Sequence, residues 1–509
     1  MEWPSGVSEV LKELGSGRNV VVWGSGCVGR LRGSFGAVDS IVRGGPIEVE
    51  GIVLCRGDCL FKDSVRARSF TSHGGVEVDG DLEVEGEIKA EGWLAASGAI
   101  RAKAIMAGGS LTASELRAEV IKAEGRVKAE AIEASRVEVG SFMVCKLLKA
   151  GEVKVKTSME AGLAEAESVE VGVIVISCDR LKASHLKVGS SGASIGRLEA
   201  DEAEVEGGLH VEEAYVTRIA AGRLSAGFLK ARVAEVKGEA SARVAEVSER
   251  LAVGHSLEAE ELKASAVEVS GRASISKCTV HKLMARSLEA DYLKASILDV
   301  SGEVSLRSGD VGRLSAGSLT ALDSLKAGEV DVRGDLIAYA AAIEASSLDV
   351  GGRLEAHKLK ATVARVEGDV EVSSIIEAKA LSTGGVVEAE EVAAGSLKAR
   401  GLDAEYTRAD LVKVADGGKA RGTIVAREVK LGDGARCEAV YSRVLEAGAR
   451  CILTEVHASS VKLGSYTVVL GDLEYTESLE LGEGVKLAKP PRRVDEVKPP
   501  KRHPNPQAR

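Results

Sequence analysis

Aromatic residues make up only 3% of this 509-residue sequence. A chain of this length would ordinarily form about three domains, and their cores would depend heavily on Phe, Tyr and Trp. The apolar residues are instead mostly Ala, Val, Leu and Ile, and glycine contributes 58 residues. Such small side chains favour a narrow, repetitive interior over several wide mixed cores.

Side-chain amides are also nearly absent. Asn19, Asn505 and Gln507 are the only ones, whereas Glu, Lys and Arg are abundant. This depletion is typical of proteins from thermophiles, so we expect a thermophilic source.

Long apolar runs are missing as well. The sequence contains no run of 18 apolar residues, which is about the length that a membrane-spanning helix requires. The N-terminus, Met1-Glu2-Trp3-Pro4, lacks the charged region and apolar stretch of a secretion signal. The eight cysteines are scattered, as expected for reduced thiols. We therefore expect a cytoplasmic protein.

The net charge of −10 is unevenly distributed. From Lys489 to Arg509 there are seven basic residues against Asp495 and Glu496, so this tail carries +5 and the remainder −15. A nucleic-acid-binding protein would be expected to carry a broad basic face. We expect no nucleic-acid partner.

The strongest positive signal is internal repetition. Residues 256–271 read SLEAEELKASAVEVSG and residues 287–302 read SLEADYLKASILDVSG, with eleven of sixteen positions identical. Within each copy an apolar–charged–apolar triplet recurs every five or six residues, as in Leu288-Glu-Ala290 and Leu293-Lys-Ala295. Three triplets make one repeat, and self-similarity at such a regular interval is the signature of a repeat architecture.

The triplets predict strands rather than a helix. Residues i and i+2 lie on one side of a strand but diverge on a helix, and interior glycines would cost a helix about 1 kcal/mol each. Strands this short are stable only if each pairs with its equivalent one turn away, as in a solenoid.

We therefore predict an all-β, single-stranded parallel β-helix with three short strands per rung of about 16–17 residues. The slip of the beat between five and six residues favours a right-handed coil. About 28 rungs would extend for roughly 130 Å. The predicted inward residues of one repeat are Leu288, Ala290, Leu293, Ala295, Leu298 and Val300, and the predicted exposed ones are Glu289, Lys294 and Asp299.

Three regions follow from these patterns. Residues 1–17 form an N-terminal segment in which Val7–Leu14 is a short amphipathic helix covering the N-terminal end of the coil. Residues 18–488 form the β-helix. Residues 489–509 hold six of the eight prolines; because proline cannot donate to a ladder, we expect a disordered basic tail. The candidate tail contacts are Arg492, Arg493, Lys498, Lys501 and Arg502, for an anionic membrane surface or an acidic protein.

Three motifs suggest chemistry, but their surroundings argue against it. Gly24 to Gly29 spells GxGxxG, yet Gly33 and Gly36 interrupt the helix that a dinucleotide site requires. Residues 192–196 match GxSxG in mid-repeat, without the strand–turn–helix context of a nucleophile elbow. Residues 55–59 read CRGDC, without the two further ligands of a zinc site. We predict no catalytic residues, no cofactor and no metal.

Two stretches carry a family resemblance. Residues 74–92 (GGVEVDGDLEVEGEIKAEG) and 431–451 (LGDGARCEAVYSRVLEAGARC) resemble the bactofilin, or polymer-forming cytoskeletal, family. That resemblance implies filaments that form without nucleotide by end-to-end stacking of β-helices. It also implies a scaffolding role in cell shape or in positioning other proteins, often at the membrane.

The leading hypothesis is therefore a structural β-helix whose main partner is itself. Physical chemistry supports assembly independently, because open strand edges carry unpaired backbone groups. If the helix covers the N-terminal end, only the C-terminal end is free, and both a filament and a tail-to-tail dimer remain open. The alternatives are a β-helix enzyme, either an acyltransferase or one acting on polysaccharide, and a monomeric binding platform.

Overall fold

The computed structural model describes residues 5–14, 18–173 and 175–499. These residues fall into two compact units, Met1–His255 and Ser256–Arg509. Each unit is a stack of parallel coils, so the predicted all-β solenoid is confirmed. Within the described ranges, no helix is both long and apolar enough to cross a membrane.

The first unit begins with helix α1 (Ser5–Leu14) and continues in strands. Its strands are β1 (Asn19–Cys27), β2 (Arg30–Leu31), β3 (Ser34–Arg43), β4 (Ile47–Arg56), β5 (Cys59–Phe61), β6 (Val65–Ser72), β7 (Val76–Val78), β8 (Leu82–Val84), β9 (Glu87–Ala90), β10 (Leu94–Ala96), β11 (Ala99–Arg101), β12 (Ala104–Ala107), β13 (Leu111–Thr112), β14 (Glu115–Ala123), β15 (Val127–Val139), β16 (Phe142–Val155), β17 (Ser158–Val171), β18 (Ile176–Val188), β19 (Gly192–Val236) and β20 (Ala240–Val253).

In the second unit, every helix or strand among the described residues is a strand. They are β21 (Leu257–Val332), β22 (Leu336–Val350), β23 (Leu354–Val366), β24 (Val370–Thr383), β25 (Val386–Ala399), β26 (Gly401–Val414), β27 (Lys419–Leu431), β28 (Arg436–Ala447), β29 (Ile452–Leu463), β30 (Val468–Val469), β31 (Leu473–Leu481), β32 (Lys486–Leu487) and β33 (Arg492–Arg493).

Strand pairing shows how the coil is built. In the stretch that carries the family resemblance, β7, β8 and β9 pair in parallel with β10, β11 and β12 respectively. Paired residues mark the length of one coil, and the interval from Leu111 to Val127 agrees with the predicted repeat. The interval from Leu82 to Ile100 is longer. Some coils are therefore slightly longer than the sequence predicted.

The interior follows the triplet pattern. Leu288, Ala290, Leu293, Ala295, Leu298 and Val300 are each at most 5% exposed. Glu289, Lys294 and Asp299, which alternate with them, are exposed. Within each triplet, buried and exposed residues therefore alternate with the two-residue period of a strand.

The corners between strands have a recurring hydrogen bond. The Asp81 carboxylate accepts the Ala99 N–H of the next coil at 2.7 Å, and Asp335 accepts the Arg353 N–H at 2.8 Å. These contacts satisfy backbone donors where the ladder is interrupted. Glycine is required at the tightest corners: a Cβ at Gly189 would lie 1.7 Å from the Gly172 carbonyl oxygen.

The predicted N-terminal helix is present, but it does not lie on the end of the coil. Val7 and Val10 pack against Val38 and Leu54. These partners are outward residues, because the inward positions beside them in β3 and β4 are Ala37 and Val53. The prediction of an end cap is wrong in this respect: α1 lies on the outer side of the coil, where apolar outward residues receive it.

The predicted end of the coil at residue 488 is also too early. Beyond Pro490 and Pro491, β33 pairs in parallel with β31, and the Val494 N–H donates to the Tyr475 carbonyl. The prolines occupy the corner before this strand, where no ladder donor is needed. The coil therefore continues into part of the predicted tail, and residues 489–499 have a defined course.

Candidate functional site

The N-terminal edge of the first unit is formed by β1. This strand pairs with β3 on one side, and no described strand pairs with the other. Val20 aligns with the fully buried Phe35, so Val20 occupies an inward position. It is nevertheless 38% exposed, because no coil of the described residues covers it.

The C-terminal edge of the second unit repeats this arrangement. Leu481 of β31 aligns with Leu463 of β29, and Leu487 of β32 aligns with Val469 of β30. Leu463 is 2% exposed, whereas Leu481 is 47% exposed. The interior of the coil is therefore exposed at this edge. The backbone beside Leu481 and Leu487 has no described strand on its far side.

The start of the predicted tail is fastened to this edge. The Asp472 carboxylate lies 3.1 Å from Lys489 Nζ and 3.1 Å from an Arg492 guanidinium nitrogen. The hydrogen bond from Lys489 lowers the pKa of Asp472 below its usual value. The Arg493 side chain donates to the Thr476 carbonyl at 3.1 Å.

These contacts correct the prediction of a free basic arm. Arg492 and Arg493 belong to the coil, whereas Lys498 pairs with Glu496 at 3.1 Å. Lys501 and Arg502 lie outside the described residues. Of the three predicted contacts that the structure describes, Arg492 and Arg493 lie in the coil and Lys498 lies beyond it, so these three do not form one free arm.

A short aromatic stack leads to the same edge. The rings of Tyr441 and His457 are parallel, with centroids 4.5 Å apart, and His457 Nδ1 lies 2.8 Å from the Glu474 carboxylate. Glu474 aligns with Arg492 of β33. Burial raises the pKa of Tyr441. This column of side chains joins the last coils to one another on their outer side.

A wide groove lies on the outer surface of the first unit. Its volume is about 1260 Å³, and small residues such as Ala102, Ala118 and Ala134 line it between charged residues. Arg101 in the groove lies 3.2 Å from Glu83 and 3.0 Å from Glu115. Among the described residues that line it there is no histidine, cysteine or tyrosine. The charged side chains that line the groove could bind a ligand through charge.

The motifs that suggested chemistry lie within the coil. The glycines of GxGxxG occupy the end of β1 and the turn before β2, where a helix would have been required. Gly192–Gly196 lies within β19. Cys55 and Cys59 are buried in the bore. Within the described parts of the chain, no cluster of three or more potential ligands is placed to hold a metal ion.

Sequence analysis did not identify the N-terminal edge as an open site. The signal present in the sequence was Val38 and Leu54, two apolar residues at positions where the triplet pattern places polar ones. These two residues indicate that α1 packs on the outer side of the coil. A helix in that position does not cover the edge of β1.

Comparison with known proteins adds no relative. No family model, no curated protein and no solved structure matches this chain.

Proposed function

We propose that this protein is a structural, bactofilin-like β-solenoid that self-associates through its coil edges, without nucleotide, as a cytoskeletal or scaffold element. The observation that carries the proposal is the exposure of inward apolar residues at both edges, Val20 at one and Leu481 at the other. Unpaired strand edges are templates for pairing with another chain. Burial of the exposed apolar residues adds a favourable free energy.

The geometry favours head-to-tail contacts. The described strand pairs at both edges are parallel, so an N-terminal edge placed on a C-terminal edge continues the parallel ladder. Because α1 lies on the outer side of the coil, β1 is free to take part. Such a contact joins two different surfaces and can therefore repeat from copy to copy, which produces a filament when the repeat does not close into a ring.

Finer features of the coil belong to the same proposal. We expect three short strands per rung throughout and a right-handed coil, in a cytoplasmic protein. The pairing within residues 74–112, where three strands per coil are distinct, supports the first expectation.

The basic residues beyond the coil have a separate proposed role. Lys498, Lys501 and Arg502 would attach the assembled protein to an anionic membrane surface or an acidic protein. This attraction should weaken with salt, because the Debye length falls from about 10 Å at 0.1 M to about 3 Å at 1 M.

Two edge variants test both the association and its polarity. Val20→Asp places a charge on the N-terminal edge, and Leu481→Asp places one on the C-terminal edge. Both sites are already exposed, so the coils should remain folded. Glu477→Gln, an exposed position on β31, is the control for the second variant. Sedimentation velocity at high salt, which screens contacts between charged outer surfaces, measures the mass of each protein and of the mixture.

Head-to-tail association predicts that each variant alone is a monomer at high salt and that the mixture forms dimers, since each retains one intact edge. If Leu481→Asp alone abolishes association and Val20→Asp has no effect, the contact is tail-to-tail. A wild-type protein that remains monomeric at every concentration would overturn the proposal.

A further inference from the structure

One outer face of the first unit carries two exposed leucines on neighbouring coils. Leu147 of β16 aligns with Leu163 of β17, and their exposed fractions are 50% and 46%. Beside them is a depression of about 430 Å³ that Ala131, Ala164 and Arg180 also line. Large apolar side chains paired in this way mark a contact surface more often than a scattered single leucine does.

Two columns of outward residues define this surface, which we call the leucine face. The first column, in the order of successive coils, is Glu115, Ala131, Leu147, Leu163, Arg180 and Arg197. The second column lies two residues further along the same strands and is Arg117, Glu133, Lys149, Glu165, Lys182 and Glu199.

The charges of the leucine face reverse about the midpoint between Leu147 and Leu163. Counting outward from that point in the second column, Lys149 corresponds to Glu165 and Glu133 to Lys182. The outermost pair, Arg117 and Glu199, also has opposite signs. In the first column, leucine corresponds to leucine and Glu115 to Arg197. Wherever both corresponding residues are charged, their charges are opposite in sign. Arg180 is the one charged residue of the two columns whose counterpart, Ala131, is uncharged.

This pattern is the one that a two-fold contact requires. A two-fold axis parallel to the strands, passing between these two coils, reverses the coil direction and leaves each column facing its own copy. Residue i then meets residue j while j meets i, as in other isologous contacts. Leu147 meets the partner's Leu163, and Glu133 meets the partner's Lys182.

We propose that the leucine face binds a second copy of this chain side by side, with the coils of the two first units antiparallel. The two leucines of each copy form the apolar centre, and the surrounding charges fix the register. Six coils at about 4.8 Å spacing place the outermost charges about 24 Å apart. This contact is independent of the coil edges, which contribute no residue to it.

The charges at the centre of the face are available for a partner. Within the part of the chain that the structure describes, Lys149, Glu165 and Lys182 form no ion pair. Glu133 lies 3.4 Å from Arg117, and both are well exposed. Exposed ion pairs of this kind contribute little to folding, so the charges can be exchanged without loss of the coil.

A charge swap tests the pairing without relying on a variant that fails to fold. Glu133→Lys and Lys182→Glu are made separately, each in the Val20→Asp background, which blocks contacts between unlike coil edges. Each variant alone would place like charges opposite each other at both symmetric positions. A mixture of the two would restore both opposite-charge contacts in a heterodimer. Glu258→Lys, an exposed position in the second unit, is the control for added positive charge.

Sedimentation velocity at low salt should show dimers of the Val20→Asp protein and of its Glu258→Lys control. We expect at least a tenfold weaker dimer for each swap variant alone, recovery in the mixture, and loss of the dimers at high salt. A mixture that remains as weak as its components would overturn the proposal. So would a Val20→Asp protein that is monomeric at every concentration. Neither result would affect the coil-edge proposal, which the Val20→Asp and Leu481→Asp mixture decides by itself at high salt.

Discussion

Replacing Ala290 with Leu tests how narrow the interior of the coil is. Ala290 is 5% exposed, and its neighbours along the repeat, Leu288 and Leu293, are 2% and 0% exposed. The substitution adds three carbon atoms where the structure leaves little space. Overpacking of a close-packed core typically costs about 1–3 kcal/mol. Because each coil contacts chiefly its neighbours, the loss should be concentrated in the surrounding coils.

Glu289→Lys is the matched control, one residue away on the outer side. It breaks the ion pair with Arg272, whose side chain is 66% exposed, while that of Glu289 is 55% exposed. Pairs this exposed contribute about 0–1 kcal/mol. The outward substitution should therefore cost clearly less than the inward one, even though it reverses a charge.

Amide hydrogen exchange read by mass spectrometry is the suitable assay, because it reports local opening coil by coil. Ala290→Leu should speed exchange in peptides covering residues 272–316 by roughly 5- to 150-fold, which corresponds to about 1–3 kcal/mol. Glu289→Lys should change it by less than about fivefold. Equal effects of the two substitutions would refute the assignment of inward and outward residues.

Individual contacts of the structure can be tested in four other ways. Burial raises the pKa of Cys145, Cys278 and Cys437 to about 12, so at pH 8 a thiol reagent should modify the exposed Cys27 and leave these three unmodified until the protein unfolds. Val10→Asp should release α1, at a cost of about 1.5–3 kcal/mol of apolar burial, and hydrogen exchange should increase in α1 while the coils beyond β6 keep their protection. The pKa of Asp472 is lower in the folded protein than in the unfolded chain. The stability that the ionised Asp472 carboxylate contributes is therefore present above the unfolded pKa and is lost as pH falls through the folded pKa. Limited proteolysis after residue 488 should accelerate at acidic pH, and Asp472→Asn should be cut rapidly at neutral pH as well. Truncation after Pro499 should leave hydrogen exchange in β31 unchanged. Truncation after Ala488 removes β33 and should accelerate hydrogen exchange in β31. Equal exchange in the two truncated proteins would contradict the pairing of β33 with β31.

The repeat made the interior predictable. In residues 288–300 an apolar residue occupies each inward position and a charged residue lies between, so a two-residue period decides which side is buried. The coil length was predicted nearly as well, since copies of the repeat are separated by multiples of one turn. Longer coils, such as the one from Leu82 to Ile100, were missed because an extra corner residue leaves the triplets intact.

The elements at the ends were less predictable. The amphipathic pattern of residues 7–14 shows that α1 has an apolar side, but it does not show which surface receives it. That surface is formed by Val38 and Leu54, which are far apart in sequence and meet only when the coils stack. The prolines at 490 and 491 predicted the end of the coil because they cannot donate, yet a corner has no need of that donor.

The leucine face depended on the stacking of coils in the same way. Leu147 and Leu163 are separated by one full coil, so the sequence alone does not show that these two outward leucines are neighbours. Their charged surroundings become symmetrical only when the register of six successive coils is known. The sequence therefore contained the pattern, but the strand pairing was needed to align it.

Negative-stain electron microscopy of the full chain shows directly whether this protein assembles through its coil edges. Images should be compared at several protein and salt concentrations, with the Leu481→Asp variant beside the wild type. We expect filaments or end-to-end oligomers that lengthen with wild-type concentration and are absent from the variant. Single particles of uniform size for the wild type under every condition, or equal filaments from both proteins, would contradict it.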